Sequence, residues 1–453
     1  MPQNPSRSSV HLDVSAAGEP SAAVVDPDAP FRILILGDFS GRANRRLHAS
    51  LAGRRPVPVD MDNFDQAIEQ MLPALKLPRA TLQFRELDDF HPDHLYRAAG
   101  VFQELAGMKS PPRPAAKAAP APAPSPPPES LVPGLLDSMI ETTEARPPAA
   151  SFEETGDLAA FINRIMAPYL EERPDPGQVE WAARMNAVAG ELMRNILHHP
   201  DFQAIEAAWR AVWMLVQELT TDGEIKISVF DATLQELMDD RSGTEKLIAG
   251  RQDPWALIAA NFDFGQSEED AARLRAFGRM AGAIRAPFLA EAQPPSESMT
   301  QPHWQALRRS AAARSIGLVL PRFLMRLPYG KSTTPTEALA FEEMPESVHA
   351  HYLWANPAFA CVHLIGQAFR SHGWEMRPGV YRRIDGLPLH VYQSEGETVN
   401  KPCAEVLLSE RDADFLLEHG FMPLASLKNE DAVLLVRFQS IADPPAPLAG
   451  RWQ

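Results

Sequence analysis

Between residues 109 and 134 the chain reads KSPPRPAAKAAPAPAPSPPPESLVPG, a stretch with ten prolines. Proline lacks a backbone N–H and fixes φ, so such a stretch can enter neither a helix interior nor a sheet. An extended polyproline tract advances about 3.1 Å per residue, which gives this one a reach of roughly 80 Å. It is a linker between two folded pieces, residues 31–108 and 151–453, with residues 1–30 expected to be a disordered N-terminus.

Both pieces have the composition to fold. Of 453 residues, 45% are hydrophobic and 23% charged, which suits globular domains and room for two or three of them. The formal charge of -16 argues against a general nucleic-acid binder, because the phosphate backbone is met by a basic surplus. Cys361 and Cys403 form no CxxC or Cys/His pattern, so they read as small buried hydrophobes in a reducing compartment. The first thirty residues carry no basic stretch ahead of an apolar one, and no apolar run reaches the length of a spanning helix. Neither a signal peptide nor membrane insertion is expected, and the cytoplasm is the expected location.

The periodicity alternates between strand and helix. FRILIL (31–36) reads as a buried strand, followed by a helix over 63–75 capped by Asp62 or Asn63, a strand over 80–84 and a helix over 92–105. So small a unit buries little alone and calls for a partner surface. Beyond the linker, 157–170 and 178–221 are helical by period, the latter restarting at Pro200, where the missing donor suits a first helical turn. Ile205, Trp209, Val212, Trp213 and Val216 then form a core stripe. Strands are expected at 224–230, 257–262, 316–320, 389–392, 405–408 and 433–438, with helices at 269–284 and 358–371. The fold class is α/β with α+β mixing.

Candidate chemistry is sparse. GDFSGR (37–42) follows a strand as phosphate loops do, but it lacks both the Lys-Ser/Thr of a P-loop and the third glycine of a dinucleotide loop; it reads as a structural turn. His349 with His351, and His198 with His199, lack the spacing that puts two metal ligands on one helix face. No Gly-x-Ser-x-Gly elbow occurs, and the pairs Asp239–Asp240 and Glu342–Glu343 look like solvated loop charge. No catalytic, metal or cofactor residue is therefore expected. Arg322 and Arg326 stand among Phe323, Leu324, Met325 and Leu327. Either their planar forks meet carboxylates from another element or another subunit, which makes them subunit-interface candidates, or they snorkel at a core edge. Residues 135–146 are amphipathic, with Leu135, Leu136, Met139 and Ile140 on one face. A helix this short is marginal in water and needs a surface, either its own second domain or a partner's groove.

Taken in order, the segments resemble the two sheath proteins of the type VI secretion system, joined in one chain. FRILILGDFSGR, VDMDNFDQAIEQMLPALKL and LQFRELDDFHPDHL are similar to the small subunit, TssB or VipA. LLDSMIETTEA, LHHPDFQAIEAAWR, APFLAEA, LRRSAAARSIGLVLPRFLMRLPYGK, HAHYLWANPAFA, DGLPLHV and EVLLSERDADFLLEHGFMPL are similar to the large subunit, TssC or VipB, without the family's C-terminal region. The resemblance implies contractile-sheath domains and a mechanical, non-enzymatic role. The implied partners are other sheath subunits, the inner tube protein, the baseplate and the ClpV-type AAA+ unfoldase. Leu135, Leu136, Met139 and Ile140 match the helix that this unfoldase grips. A non-propagating homologue that caps, nucleates or regulates assembly is the alternative, and an α/β enzyme or nucleotide-binding protein is a third reading.

Overall fold

The computed structural model describes residues 29–107 and 178–452, apart from 79, 221, 222, 252 and 395. The first segment contains β1 (Phe31–Gly37), β2 (Val57–Val59), α1 (Phe64–Met71), β3 (Ala74–Lys76), β4 (Thr81–Gln83), α2 (Pro92–Ala98) and α3 (Gly100–Gly107). The second opens with α4 (Gln178–Leu197), α5 (Pro200–Leu219), β5 (Ile225–Asp231), α6 (Leu234–Asp239) and α7 (Arg241–Ala249). There follow β6 (Leu257–Phe264), α8 (Glu268–Ala283), β7 (Phe288–Ala292), α9 (Pro302–Arg308), β8 (Ile316–Leu320), β9 (Phe323–Leu324), β10 (Trp354–Ala355) and α10 (Ala358–His372). The chain closes with β11 (Arg383–Ile384), β12 (His390–Ser394), β13 (Glu397–Lys401), α11 (Glu410–Glu418), β14 (Phe421–Ser426) and β15 (Val433–Leu435).

Nine strands form one sheet in the order β11-β15-β14-β8-β7-β6-β1-β5-β2. The run from β14 to β5 is parallel, and the outer strands β15, β11 and β2 are antiparallel. β1 therefore lies inside the sheet, in register with β5 from Phe31↔Ile225 to Gly37↔Asp231 and with β6 from Ile33↔Leu257 to Leu36↔Ala260. The partner surface that the small unit calls for is the sheet of the second segment.

A parallel strand is covered on both faces, which is why FRILIL is apolar at nearly every position. Phe31, Ile33 and Ile35 point into one core, with α1 to α5 and α10; Leu34 and Leu36 point into the other, with α6 to α9 and α11. The Ile205–Val216 stripe of α5 packs against the sheet, and Trp209 contacts Phe39 and Phe64 edge to face at 5.4 and 5.8 Å. A side hairpin, β12 with β13, sits beside a small cluster of Leu324, Tyr352 and Trp354.

Several expected boundaries move for local reasons. The helix over 63–75 ends at Met71, Leu72 turns left-handed at φ 46, and Ala74–Lys76 is a strand, because Pro73 disfavours α backbone before it and supplies no donor. Asn63 precedes α1 without capping it; its Oδ1 accepts from the Asp60 amide instead. The helix over 92–105 breaks at Ala99, ahead of Gly100. Residues 405–408 form no strand: only a bridge at Ala404 to Phe323 survives, and Val406 and Leu407 lie exposed. The expected helix over 157–170 lies outside the described residues.

Glycine is required at two places after β1. A Cβ on Gly37 would come within 2.9 Å of the Asn261 side chain; Gly41 sits at φ +72, with Ala74 O only 2.5 Å from where its Cβ would be. Gly41→Ala is expected to lower stability by about 1–3 kcal/mol in urea denaturation. Gly53→Ala, at φ +82 with nothing within 4 Å, carries the backbone penalty alone, about 1 kcal/mol.

Candidate functional site

The loop after β1 settles the phosphate question. Asp231, at the end of β5, accepts from the Phe39 and Ser40 amides at 2.9 Å each and from Ser40 Oγ at 2.8 Å. Asp38 accepts from the Arg42 and Ala43 amides at 2.6 and 2.7 Å. The amides that would cradle a phosphate are thus occupied by the protein's own carboxylates. The two guanidinium groups alongside, Arg42 and Arg54, both close on Glu236 at 2.7 and 2.8 Å. Burial opposes ionisation of Glu236, yet these arginines and the Thr233 and Ala49 amides outweigh it and hold the carboxyl well below the usual range.

Doubly wound sheets bind ligands where neighbouring strands send their connections in opposite directions. Here that point lies between β1, which leads on to β5, and β6, which leads on to β7. Asn356 caps the end of β6, its Nδ2 donating to Phe262 O at 3.2 Å and to Ala260 O at 3.5 Å.

A second polar cluster lies under the other core. Arg326 is 10% exposed at its side chain and donates to Glu206 and Glu343, each at 2.8 Å, while Arg210 donates to Glu206 at 2.8 Å. Its guanidinium also stacks 4.3 Å from the Tyr329 ring, and the Tyr329 amide donates to Glu343 at 2.7 Å. Burial works against the Glu343 carboxylate, but Arg326, His198 and the Tyr329 amide together outweigh it and hold the pKa at about 2. Arg326 therefore finds its carboxylates on α5 and on the 343 loop of its own chain, the intramolecular one of the alternatives open to it. Arg322 differs: it pairs with Glu405 at 2.6 Å and lies 3.8 Å from Glu291, but remains 41% exposed. Burial in this crevice pushes Glu291 up to about 8, against the pull of Arg322.

Glu343 corrects the expectation that Glu342–Glu343 is solvated loop charge, since it is 1% exposed. Asp240 is likewise not idle, because it caps α7 through the Gly243 amide at 2.8 Å. The sequence does signal Glu206, an acid next to Ile205 on an apolar stripe with Arg210 one turn on; it does not signal Glu343. His198 stacks on His351 at 3.8 Å and His199 caps α5, so the histidine pairs have packing and capping roles. Both cysteines are free and buried. Among the described residues, Glu86, Asp89 and His94 place ligand-type atoms within 4.8 Å of one another. Glu86 and Asp89 form a reciprocal cap on the turn 87–90. Leu135, Leu136, Met139 and Ile140 lie outside the described residues.

The two segments are thus fastened at many points. Trp209 Nε1 donates to Phe39 O at 2.9 Å, Asn44 Nδ2 donates to Asp201 at 2.7 Å, and Asp93 accepts from the Glu337 and Ala338 amides at 3.0 and 2.8 Å. Phe84 and Phe90, stacked on each other, both meet Phe202 edge to face across the same boundary. The VipB (EvpB) tail sheath N-terminal domain matches residues 180–442, more than half of the chain. The chain belongs to the VipB sheath family. Ahead of the VipB part, residues 4–111 match the VipA family of the type VI secretion system, so a fusion of the TssB–TssC kind is supported. A similar curated protein is the type VI secretion system sheath protein TssC1 of Pseudomonas aeruginosa, 33% identical over 289 residues, which are 55% of this chain and 58% of that protein. The chain thus spans somewhat over half the length of that relative. Both sheath-family parts are carried on one mixed α/β fold. Among the described residues no helix is long and apolar enough to cross a membrane.

Arg326→Leu leaves Glu343 buried without its cation and is expected to cost about 3–5 kcal/mol at neutral pH, read by urea denaturation. Because Glu343 sits at about 2 against an ordinary 4.5, its contribution is full above 4.5 and is lost as pH falls toward 2. The deficit of the variant therefore shrinks on acidification. Glu291 has the opposite sign: its folded pKa of about 8 lies above the ordinary 4.5, so the wild type loses stability as pH rises between them. Glu291→Gln is expected to gain on the wild type from pH 5 to pH 8 in thermal melts; a pH-independent difference would contradict this.

Proposed function

We propose that the chain is a preassembled sheath subunit, in which VipA-like and VipB-like parts act as one building block that stacks around the inner tube on a baseplate and takes part in contraction. The observation that carries this reading is β1: a strand of the VipA-matched segment lies between β5 and β6 of the VipB-matched segment. A joint made of backbone ladder and buried ion pairs holds the two parts as a unit, and the linker between them fixes a one-to-one ratio and a high local concentration. Work in such an assembly comes from repacking of subunit contacts, so the reading needs no catalytic residue, and it places the protein in the cytoplasm.

The test is electron microscopy of the full chain, alone and mixed with authentic sheath subunits. Long tubes containing the chain are expected; short or blocked tubes would favour a cap or regulator, and no tubes with no incorporation would overturn the reading. Within the same proposal, Leu135, Leu136, Met139 and Ile140 are the contact for a ClpV-type unfoldase. Leu135→Asp with Met139→Asp is expected to abolish pull-down by that unfoldase and leave circular dichroism unchanged, whereas loss of the folded spectrum would place the segment in the core.

A further inference from the structure

Most large apolar side chains of the second segment are buried; of the exposed ones Val391 lies on the β12–β13 hairpin, and the others stand in two places, at Val380 and Tyr381 and before and on α11. Val380 and Tyr381, just before edge strand β11, are 54% and 37% exposed. Leu407, just before α11, is 64% exposed, and Phe415, on the outer side of α11, is 44% exposed. The two places lie on opposite faces of the sheet: Tyr381 Oη is 2.9 Å from Ser371 at the end of α10, which packs in the core of α4 and α5, whereas α11 buries Leu416 in the other core.

Their charges are opposite too. Around Val380 and Tyr381 stand exposed Arg377 and Arg382, with exposed Glu375 beside them; among the described residues the Arg377 guanidinium has no ion pair or hydrogen bond, and that of Arg382 reaches only the Val436 carbonyl, at 3.2 Å. Around Phe415 stand exposed Glu410, Asp414 and Glu418, whose carboxylates have no partner among the described residues, with exposed Arg411 among them, so that acid outnumbers base there and base outnumbers acid around Tyr381. An unpaired basic patch is notable on a chain of net charge -16.

We propose that these two patches bind each other between copies of this chain, the Val380–Tyr381 pair with Arg377 and Arg382 of one copy against Leu407 and Phe415 with Asp414 and Glu418 of the next. Each patch has apolar side chains to bury and a surplus of one charge, and the matching surface is the other patch. Because the patches differ and lie on opposite faces, the contact is head to tail; each copy keeps one free patch, so the association propagates instead of closing as a dimer. This rests on the reading of the chain as an assembling sheath subunit and names one side-chain contact by which copies meet.

Sedimentation velocity of the full chain at low and high salt tests it, with Arg377→Glu/Arg382→Glu and Asp414→Arg/Glu418→Arg as variants. All four positions are exposed, and circular dichroism verifies that both variants are folded. Each double reversal is expected to weaken self-association by about tenfold or more. Mixing the two variants is expected to restore propagating association with the two chains alternating, since the intact patches meet each other and so do the two reversed ones, and the chain carrying all four reversals is expected to regain association alone. Association unchanged in both double variants, or no recovery in the fourfold variant, overturns the contact. Tubes that still form from both double variants would sink this contact and leave the sheath reading standing; an unmodified chain that neither self-associates nor enters tubes would sink both.

Discussion

The insertion of β1 between β5 and β6 is the constraint on which the rest of the molecule depends. A central strand is paired on both edges and covered on both faces, so removing it would leave two open ladders and two half-cores at once. The second segment without β1 would expose the facing edges of β5 and β6. The first segment without the sheet would expose Phe31, Ile33, Leu34, Ile35 and Leu36, all fully buried here. Neither segment is a domain in the sense of owning a complete core. Joining them covalently replaces an encounter between two incomplete surfaces with an intramolecular one.

The buried ion pairs refine this joint. Arg42 and Arg54 come from the first segment and Glu236 from the second, so the carboxylate is compensated only when the segments are docked in register. A one-residue slip of β1 would flip Leu34 and Leu36 to the opposite core and carry Arg42 away from Glu236. Taking such charges out of water brings little net stability, but a mismatched docking would strand them unpaired, which is far worse. The Arg326 cluster acts differently, tying the 343 loop to α5 within the second segment.

Much of this was legible in the sequence because the decisive patterns are local. A continuous apolar run marks β1 as buried on both faces, Pro200 marks the start of α5, and the stripe from Ile205 to Val216 marks its buried side. Pro73 carries the same kind of signal for the end of α1, and weighing it would have separated that helix from the strand at Ala74–Lys76. What local pattern could not convey is pairing. Nothing near Phe31 says that its neighbours are Ile225 on one side and, two residues on, Leu257 on the other, because parallel pairing is set by distant segments. Glu343 shows the same limit: one of two adjacent acids in a loop reads as solvated until the fold brings Arg326 to it.

The same docking shapes the C-terminal edge of the sheet. After β1 the loop amides are taken by Asp38 and Asp231, and Asn356 caps carbonyls at the end of β6. Asp231 comes from the second segment, so its bonds to Phe39 and Ser40 make this loop part of the joint. Unmet polar and apolar surface remains instead at the β11 end, where Arg377, Arg382, Asp414 and Glu418 stand on opposite faces of the sheet. A chain whose inner carboxylates are matched to its own arginines and whose outer charges are left unmatched at one end has its unmet surface on the outside, where the proposed contact between copies uses it.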